Sequence, residues 1–325
     1  MNDCIKCGEC LAVCHAYKHL QGEFSGPRRL AVEYPRFNDT SSEAFMCTTC
    51  GYCEEVCPAH LPLTQAIVRM RTQMFPPQNE GQQKVLDLAL RTNHAVEPKE
   101  YNAPTTGRTL LFPGCVGKGR LAGKPEEVLK LLAAAGAEPY INPGLVCCGS
   151  PLSKMGAVEE VERLKNINYP ILAEAEQVVT ICPGCTTMIN KSYGINALHI
   201  LEFLEDAELN FIDGDNVRIY LHHPCHLSRG VGPHVMDIAR NILEKVPGVT
   251  VLDCGSEEDC CGGGGGVLAA YPREAYATAD LKAREAQEAG ADLIVAPCPF
   301  CAVNLRRPKR LKAVEMSEFL CSRLK

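Results

Sequence analysis

The chain has no tryptophan, and aromatic residues make up only 6% of its 325 residues. It also lacks any apolar run close to the about 20 residues that a helix needs to cross a bilayer. Its longest uncharged apolar stretches are short segments such as LLAAAGA and LIVAPCPF. The sequence therefore predicts no membrane-spanning helix of its own.

Basic charge is also scarce. The formal net charge is −6 at pH 7, which argues against a general nucleic-acid binder because such proteins usually present a basic surface. The N-terminal MNDCIKCGEC has neither the basic segment nor the apolar segment of a signal peptide. We expect a cytoplasmic protein that binds no nucleic acid and reaches the inner face of a membrane only through a partner.

Cysteine, by contrast, is abundant, with 20 residues. In a reducing compartment such a number indicates metal ligation or redox chemistry and not structural disulfides. Eighteen of the cysteines form three groups along the chain. Cys254 and Cys321 lie outside these groups, and we expect them to be ordinary buried thiols.

The first group consists of two copies of one motif. CIKCGECLAVC and CTTCGYCEEVC both have the spacing C-x2-C-x2-C-x3-C, which is the bacterial ferredoxin spacing for [4Fe–4S] clusters. In two-cluster ferredoxins the fourth ligand comes from the other motif. Structural zinc is the alternative, disfavoured because the full spacing occurs twice. The motifs predict one cubane cluster on Cys4, Cys7, Cys10 and Cys57, and a second on Cys47, Cys50, Cys53 and Cys14.

The segment that holds these motifs contains few large apolar residues, so metal centres are expected to keep it folded. A helix is predicted from about Leu61 to Met74, where Pro76 and Pro77 end it. The polar segment that continues to about Thr109 is predicted to be a linker or a partly helical connection. We assign residues 1–100 to an α-helical, ferredoxin-like domain with two clusters and a linker.

The second and third groups form an internal repeat. Cys115 recurs as Cys225 after 110 residues, the adjacent pair recurs after 113 residues, and the final C-x2-C pair recurs after 116 residues. The second group is Cys115, Cys147, Cys148, Cys182 and Cys185, and the third is Cys225, Cys260, Cys261, Cys298 and Cys301.

Each repeat has the pattern of an α/β unit. EQVVTICPGC and ADLIVAPCPFC each contain a short apolar run followed by Cys-Pro-x-Cys, which indicates a buried parallel strand with cysteines in the turn beyond it. EEVLKLLAAAGAEPYI and VMDIARNILEKVPGVTVL each predict a helix followed by a strand. We predict two small parallel-sheet units related by pseudo-symmetry, at residues 105–215 and 216–325, with cysteines at the strand ends where open α/β sheets hold their sites.

The adjacent cysteines require a special backbone. Neighbouring side chains of a strand point to opposite faces, so Cys260 and Cys261 can serve one centre only if the chain turns sharply. The five glycines that follow them supply that freedom. Cys147 and Cys148 are likewise followed by a glycine, Gly149.

These motifs resemble a known family. FPGC, VCCGSPL and CPGC in the first repeat, and HPCHLSRG, CCGGGGG and CPFC in the second, resemble the cysteine-rich CCG domains of heterodisulfide reductases. Nearly the whole chain is similar to the heterodisulfide reductase polypeptide in which the ferredoxin-like and catalytic parts share one chain. It is also similar to the iron–sulfur subunits of thiol:fumarate reductase and of complexes that oxidise glycolate, lactate or glycerol-3-phosphate.

The resemblance implies further cofactors. In the family, one five-cysteine repeat binds one non-cubane [4Fe–4S] cluster, with one cysteine more than a cube needs, so that one can bridge. Because both repeats keep all five cysteines, the resemblance implies two such clusters. Gly149, Gly262 and Gly263 are then expected to bring the backbone close to the cluster and to donate N–H bonds.

The resemblance also implies a disulfide reductase. Electrons would pass from the two cubane clusters to the two non-cubane clusters, which would reduce a small-molecule disulfide, such as that of coenzyme M and coenzyme B, to two thiols. The ten cysteines of the repeats are the predicted catalytic residues, with His226 as a candidate proton donor. No G-x-G-x-x-G follows a strand, so we expect no flavin or haem on this chain. The donor would be a flavin-containing subunit or a membrane cytochrome b subunit.

Several alternatives stay open at the level of sequence. The chain could be an iron–sulfur subunit that transfers electrons from a flavin dehydrogenase to quinone. CPGC and CPFC could be thioredoxin-like dithiols, and CGGGGG a phosphate loop, although no Lys-Ser/Thr follows it. His222, His223 and His226 could bind zinc with Cys225; we expect them instead to be polar lining of the site. Lys154 and Arg229 lie close in sequence to predicted ligands and could bind an anionic substrate; we expect them instead at the surface.

Overall fold

The computed structural model describes residues 4–20, 23–34, 40–77, 79–121, 123–255 and 260–325. An N-terminal segment of short helices is followed by two α/β repeats. Across these ranges, no helix combines the length and the apolar character needed to span a membrane.

The N-terminal segment folds around its cysteine motifs. In both motifs a glycine with positive φ, Gly8 at 91° and Gly51 at 81°, precedes a one-turn helix that contains the third cysteine. A small apolar core that includes Phe24, Ile67 and Met70 packs against the cysteines. The helices are α1 (Glu9–Ala12), α2 (His15–His19), a π-helical turn (Arg29–Glu33), a 3-10 turn (Ser42–Met46), α3 (Tyr52–Glu55) and α4 (Leu63–Gln73).

The predicted helix before the two prolines is confirmed as α4. The polar segment beyond them is more ordered than a linker, because it forms a full helix, α5 (Glu80–Thr92), whose N-terminus is capped by the Asn79 side chain. This helix packs on the first repeat. The N–H of Cys147 donates to the carbonyl of Asn93 at 3.0 Å, and Arg163 Nη1 donates to Asn93 Oδ1 at 2.6 Å. Helix α5 is therefore part of the scaffold of the first cysteine site.

Each repeat contains a four-stranded parallel sheet, and the two sheets have the same topology. The strand order is β2-β1-β3-β4 in the first repeat and β6-β5-β7-β8 in the second. The strands are β1 (Thr109–Phe112), β2 (Pro139–Tyr140), β3 (Gln177–Thr180), β4 (Ala197–His199), β5 (Val217–Leu221), β6 (Val249–Leu252), β7 (Leu293–Ala296) and β8 (Lys312–Glu315). The predicted α/β class with pseudo-symmetric sheets is confirmed.

Helices cover these sheets, which explains the apolar sequences of the central strands: every residue of β1 and β7 is buried. The helices of the first repeat are α6 (Gly114–Arg120), α7 (Lys124–Ala134), α8 (Ser150–Met155), α9 (Val158–Glu174), α10 (Pro183–Met188) with a π-helical turn (Ile189–Tyr193), and α11 (Ile200–Leu204). Those of the second are α12 (Cys225–Ser228), α13 (His234–Glu244), α14 (Val267–Ala270), α15 (Pro272–Glu288), α16 (Pro299–Leu305) and α17 (Met316–Arg323).

The two repeats pack face to face. Helix α7 of the first repeat lies against α17 of the second, and one apolar core contains buried residues from both sheets. Lys124 Nζ on α7 lies 3.2 Å from a carboxylate oxygen of Glu315 and 3.8 Å from one of Glu318. At the equivalent place, His234 Nε2 lies 3.7 Å from Glu202 Oε1. The matching contacts indicate a pseudo-two-fold arrangement that turns the cysteine-bearing strand ends towards each other.

Candidate metal centre

The structure gathers the five cysteines of the first repeat into one buried group. Cys115 lies in α6 just after β1, the adjacent pair lies in the turn before α8, and the final pair flanks the start of α10. The five thiols lie next to one another in a continuous row, in the order Cys115, Cys147, Cys148, Cys185 and Cys182.

The second repeat builds the same row from its own five cysteines. The order is Cys225, Cys260, Cys261, Cys301 and Cys298. The two rows then meet end to end, because the side chains of Cys182 and Cys298 lie next to each other. All ten predicted cysteines therefore share one continuous site.

Positive φ at a glycine explains how adjacent cysteines serve one centre. Gly149 has φ 86° and Gly262 has φ 83°, and each N–H donates back to the first cysteine of its pair. These distances are 3.4 Å from the Gly149 nitrogen to Cys147 Sγ and 3.3 Å from the Gly262 nitrogen to Cys260 Sγ. The N–H of Gly263 donates to Cys261. In all three positions the glycine N–H therefore faces a cysteine sulfur.

The thiols within each row share protons unevenly. Hydrogen bonds from Cys115 and Cys148 hold the pKa of Cys147 well below 9.0, and hydrogen bonds from Cys225 and Cys261 do the same for Cys260. Five thiolates in one buried space would repel one another, so their ionised forms need cations between them. Clustered sulfur ligands with backbone N–H donors are the donor set of an iron–sulfur cluster, which the residues present therefore fit.

A cavity of about 480 Å³ lies between the two rows, lined by cysteines of both repeats. The rest of its wall is mostly apolar and includes Val85, Val96 and Phe300. Three cationic side chains also line it: Arg120, Lys154 and Arg307. The cavity therefore contains the space for the groups that the two cysteine rows would hold, with apolar and cationic side chains beside it.

Lys154 lies in this cavity and not at the surface as expected. Its Nζ is 2.7 Å from His226 Nε2, and His226 Nδ1 is 3.4 Å from Cys225 Sγ. Burial, and then the charge of Lys154, lower the pKa of His226 to about 3, so its imidazole is neutral at pH 7. As a cation Lys154 has only donors, so it would donate to Nε2 and leave the ring proton on Nδ1, which faces the Cys225 sulfur. A residue of one repeat thereby orients a residue of the other.

The N-terminal cysteines assemble into the two predicted sets. The pKa of Cys10 is raised by burial and by the neighbouring charges of Cys7, Cys4 and Cys57. The pKa of Cys53 is raised by burial and by Cys47, Cys50 and Cys14. The fourth cysteine of each set comes from the other motif. The first set lies at the surface, with Cys7 exposed and the Ile5 side chain 68% exposed.

The second N-terminal set lies against the second repeat. Cys50 is close enough to Cys260 for their charges to interact, and Thr48 Oγ1 lies 3.4 Å from Cys260 Sγ. Arg229 strengthens this contact: its Nε donates to Glu55 at 2.6 Å and its guanidinium lies 4.2 Å from the Tyr52 ring centroid. With a side chain only 11% exposed, Arg229 is an interface residue and not the expected surface residue.

Some of the expected histidine positions differ. Of the three histidines around Cys225, only His226 is among the described residues that line the cavity. His222 is buried, and one of its ring nitrogens lies within 4.8 Å of the sulfurs of Cys261 and Cys301. These three atoms could hold a zinc ion. Cys254 and Cys321 are half-buried and not buried as expected.

His94 is a site residue that the sequence analysis missed. It is buried, and its Nδ1 lies 3.9 Å from Cys115 Sγ. It follows helix α5, in a segment predicted only as a linker or a partly helical connection, and nothing in the local pattern indicated its position.

Two parallel-sheet units with paired cysteine rows, joined to a two-motif ferredoxin segment, define an iron–sulfur oxidoreductase. The chain belongs to the CCG family: the cysteine-rich domain model matches residues 109–190 and 219–306, and a 4Fe-4S dicluster domain model matches residues 1–61. Both matches agree with the resemblance inferred from the sequence.

Three relatives show the range of proteins to which this chain is similar. A subunit of the fumarate reductase (CoM/CoB) of Methanothermobacter marburgensis is 28% identical, over 94% of this chain and 68% of its own length. A subunit of the dihydromethanophenazine:CoB–CoM heterodisulfide reductase of Methanosarcina barkeri is 27% identical, over 94% and 88%. Lactate utilization protein A 1 of Bacillus cereus is 25% identical, over 66% and 99%.

A solved structure, that of a hypothetical protein from Helicobacter pylori, has a similar fold. It is 9% identical and has a TM-score of 0.59, over 97% of this chain and 71% of that chain. At this identity the likeness concerns the fold alone.

Proposed function

We propose that this chain reduces a small-molecule disulfide to two thiols in the cavity between its repeats. The observation that supports this most is the junction of the two complete five-cysteine rows at Cys182 and Cys298. A disulfide has two sulfurs, and the cavity offers each of them a cysteine row of its own. A dithiol of the thioredoxin type would need only one C-x2-C pair.

The proposal includes the cofactors. Each row of the repeats would hold one non-cubane [4Fe–4S] cluster, and each N-terminal set one cubane cluster. When bound, such clusters give and take single electrons. The overall reaction is R–S–S–R′ with two electrons and two protons, giving RSH and R′SH.

The remaining side chains of the cavity bind the substrate and supply protons. Arg120, Lys154 and Arg307 are suited to anionic groups of the disulfide, and the apolar wall to its carbon chains. Lys154 and His226 form the polar pair that lies in the cavity, and we assign to this pair the supply of a proton to a leaving thiolate. His226 would then supply the proton together with Lys154, and not alone as the sequence analysis proposed.

The relatives support a disulfide substrate. Proteins named for the reduction of the CoB–CoM heterodisulfide match 94% or more of this chain. The disulfide of coenzyme M and coenzyme B is therefore the first substrate to test. A flavin-containing subunit or a membrane cytochrome b subunit would deliver electrons at the exposed N-terminal cysteine set, with the chain in the cytoplasm or docked on the inner face of a membrane.

The second candidate function is electron transfer between a flavin dehydrogenase for lactate, glycolate or glycerol-3-phosphate and quinone. The similarity to lactate utilization protein A 1 favours it, although this match covers only 66% of the chain. In such a relay the cavity between the rows would hold the clusters alone.

A product measurement separates the two functions. The anaerobic protein is reduced chemically, freed of reductant and mixed with one disulfide, and the thiols are counted. Our proposal predicts two thiols for every disulfide consumed. Unchanged disulfide together with prompt reoxidation by a soluble quinone would support the relay.

A further inference from the structure

Arg71 on helix α4 is a fully buried arginine at the point where three parts of the chain meet. Its guanidinium donates to four backbone carbonyls. Two of them, those of Ala44 and Cys47, belong to the N-terminal segment, with Nε to Ala44 O at 2.9 Å. The third is the carbonyl of Lys154 in the first repeat, whose oxygen lies 2.6 Å from Arg71 Nη1. The fourth is the carbonyl of Gly265 in the second repeat, whose oxygen lies 2.8 Å from the same nitrogen.

The surrounding backbone is packed too closely for side chains. A Cβ atom at Gly265, where φ is 63°, would lie 2.4 Å from the carbonyl oxygen of Cys47. A Cβ atom at Gly264 would lie 2.8 Å from the carbonyl oxygen of Thr48. In the first repeat, a Cβ atom at Gly156 would lie 2.8 Å from the carbonyl oxygen of Arg71 itself. The later glycines of CCGGGGG are therefore needed because another part of the chain lies against them.

This junction lies next to two of the cysteine sites. Arg71 bonds to the carbonyl of Cys47, which belongs to the second N-terminal set, while Gly265 belongs to the turn that follows Cys260 and Cys261. Thr48, the residue after Cys47, contacts Cys260. A shift of the Cys47 loop away from the glycine turn would therefore change the separation of the two sites.

We propose that Arg71 is a positioning residue that holds the Cys47–Cys50 loop against the Gly262–Gly266 turn and so fixes the separation between the N-terminal and second-repeat cysteine sites. Any electron that passes between these sites would cross this contact, and this part of the inference rests on the proposed function. The geometric part concerns the chain's own residues and stands without it.

Arginine suits this position better than lysine. Its planar guanidinium has five N–H donors in fixed directions, whereas the lysine ammonium has three on a flexible stem. Only arginine can bond to carbonyls of three separate segments in one plane. Phe45, whose ring centroid lies 5.5 Å from the Arg71 guanidinium carbon, packs beside it.

The test compares Arg71→Lys and Arg71→Gln with the control Arg69→Gln, which changes an exposed arginine of the same helix. Amide hydrogen exchange of the cluster-loaded chain is followed by mass spectrometry. We expect exchange in residues 44–50 and 262–267 to quicken about tenfold in both Arg71 variants, and other regions and the control to keep wild-type rates. Wild-type exchange at residues 262–267 in Arg71→Gln would overturn the positioning role.

A second readout addresses electron passage. Dithionite-reduced protein is mixed with disulfide, and electron paramagnetic resonance follows the reoxidation of the N-terminal clusters. We expect it to slow about 10- to 100-fold in the Arg71 variants. If the chain reduces no disulfide, the wild type will also show no reoxidation in this assay. The hydrogen-exchange measurement would still test the positioning role of Arg71. If neither Arg71 variant folds, Gly265→Ala tests the same contact, and wild-type exchange and reoxidation in that variant would overturn the proposal.

Discussion

Cys182 and Cys298 occupy equivalent positions in the two repeats, 116 residues apart, and their side chains lie next to each other where the two cysteine rows meet. Two equivalent residues can contact each other only where the pseudo-two-fold axis passes between them. The axis therefore runs through the candidate site, and the cavity has one cysteine row on each side. This symmetry is the physical basis for proposing a substrate with two like reacting atoms.

Metal analysis tests the cofactors. Four [4Fe–4S] clusters predict about 16 iron and about 16 sulfide per chain in anaerobically purified protein. Iron and acid-labile sulfide assays with mass-spectrometric metal analysis provide the measurement. About 8 iron together with zinc would mean that the repeats hold zinc, with His222, Cys261 and Cys301 as ligands in the second repeat.

Loss of a single cysteine from either row should disable disulfide reduction, even though the other row stays intact. Cys148→Ser and Cys260→Ser are each expected to lower disulfide reduction by more than about 100-fold and to remove about 4 iron per chain. The control is Cys321→Ser, outside both rows, which should keep wild-type iron and rate. Full activity in either row variant would contradict the two-row account.

Lys154 should matter more than its charge alone suggests, because it orients His226. Lys154→Met removes a charge-assisted hydrogen bond worth about 1.5–3 kcal/mol, so we expect kcat/KM for the disulfide to fall roughly 10- to 100-fold. The exposed Lys191 gives the control Lys191→Met. Steady-state kinetics at several disulfide concentrations decide the matter, and equal effects of the two variants would refute the assignment.

Gly149 and Gly262, the glycines that follow the two adjacent cysteine pairs, allow the effects of the same Gly→Ala change to be compared between the repeats. Alanine at either position would adopt a left-handed backbone, at a cost of roughly 1–2 kcal/mol. At Gly262 the new Cβ would also lie 2.4 Å from Cβ of Thr278, whereas at Gly149 its nearest neighbour would be 3.4 Å away. We therefore expect Gly262→Ala to lose more iron than Gly149→Ala in metal analysis. The reverse order would show that steric contact does not govern these turns.

The buried ion pair between the repeats should be important for stability. Lys124 and Glu315 have side chains only 1% exposed, and loss of the only partner of such a buried charge costs about 3–5 kcal/mol. Because Glu127 and Glu318 also lie 2.9 Å and 3.8 Å from Lys124 Nζ, we expect Glu315→Gln to cost less than this. Glu315→Gln should therefore lower the urea midpoint of unfolding. Glu80→Gln, which breaks the exposed Lys84–Glu80 pair, should change it little. Similar midpoints for Glu315→Gln and wild type would show that the interface does not depend on this pair.

The sequence predicted the elements whose signals are local. Apolar runs before Cys182 and Cys298 marked buried parallel strands, and the recurring cysteine offsets revealed the duplicated unit. The segment of helix α5 could be predicted only as a linker or a partly helical connection, because its sequence is mostly polar and its few apolar residues pack on distant parts of the chain.

The structural roles of Arg71 and Lys154 depend on contacts between distant segments. Arg71 bonds to residues as far away as Gly265, and Lys154 reaches His226 across the repeat interface. Neither has a motif, because the partner carbonyls and ring nitrogen come together only after the repeats pack. Composition suggested surface positions for Lys154 and Arg229, and packing overrode it.

The most direct test of the central claim is anaerobic oxidation of reduced viologen dye by the purified chain. The oxidants are a panel of disulfides, including that of coenzyme M and coenzyme B, and a soluble quinone. We predict steady turnover with one disulfide, formation of two thiols, and loss of this turnover in Cys148→Ser and Cys260→Ser. Dye oxidation by the quinone alone, with every disulfide left intact, would contradict the account.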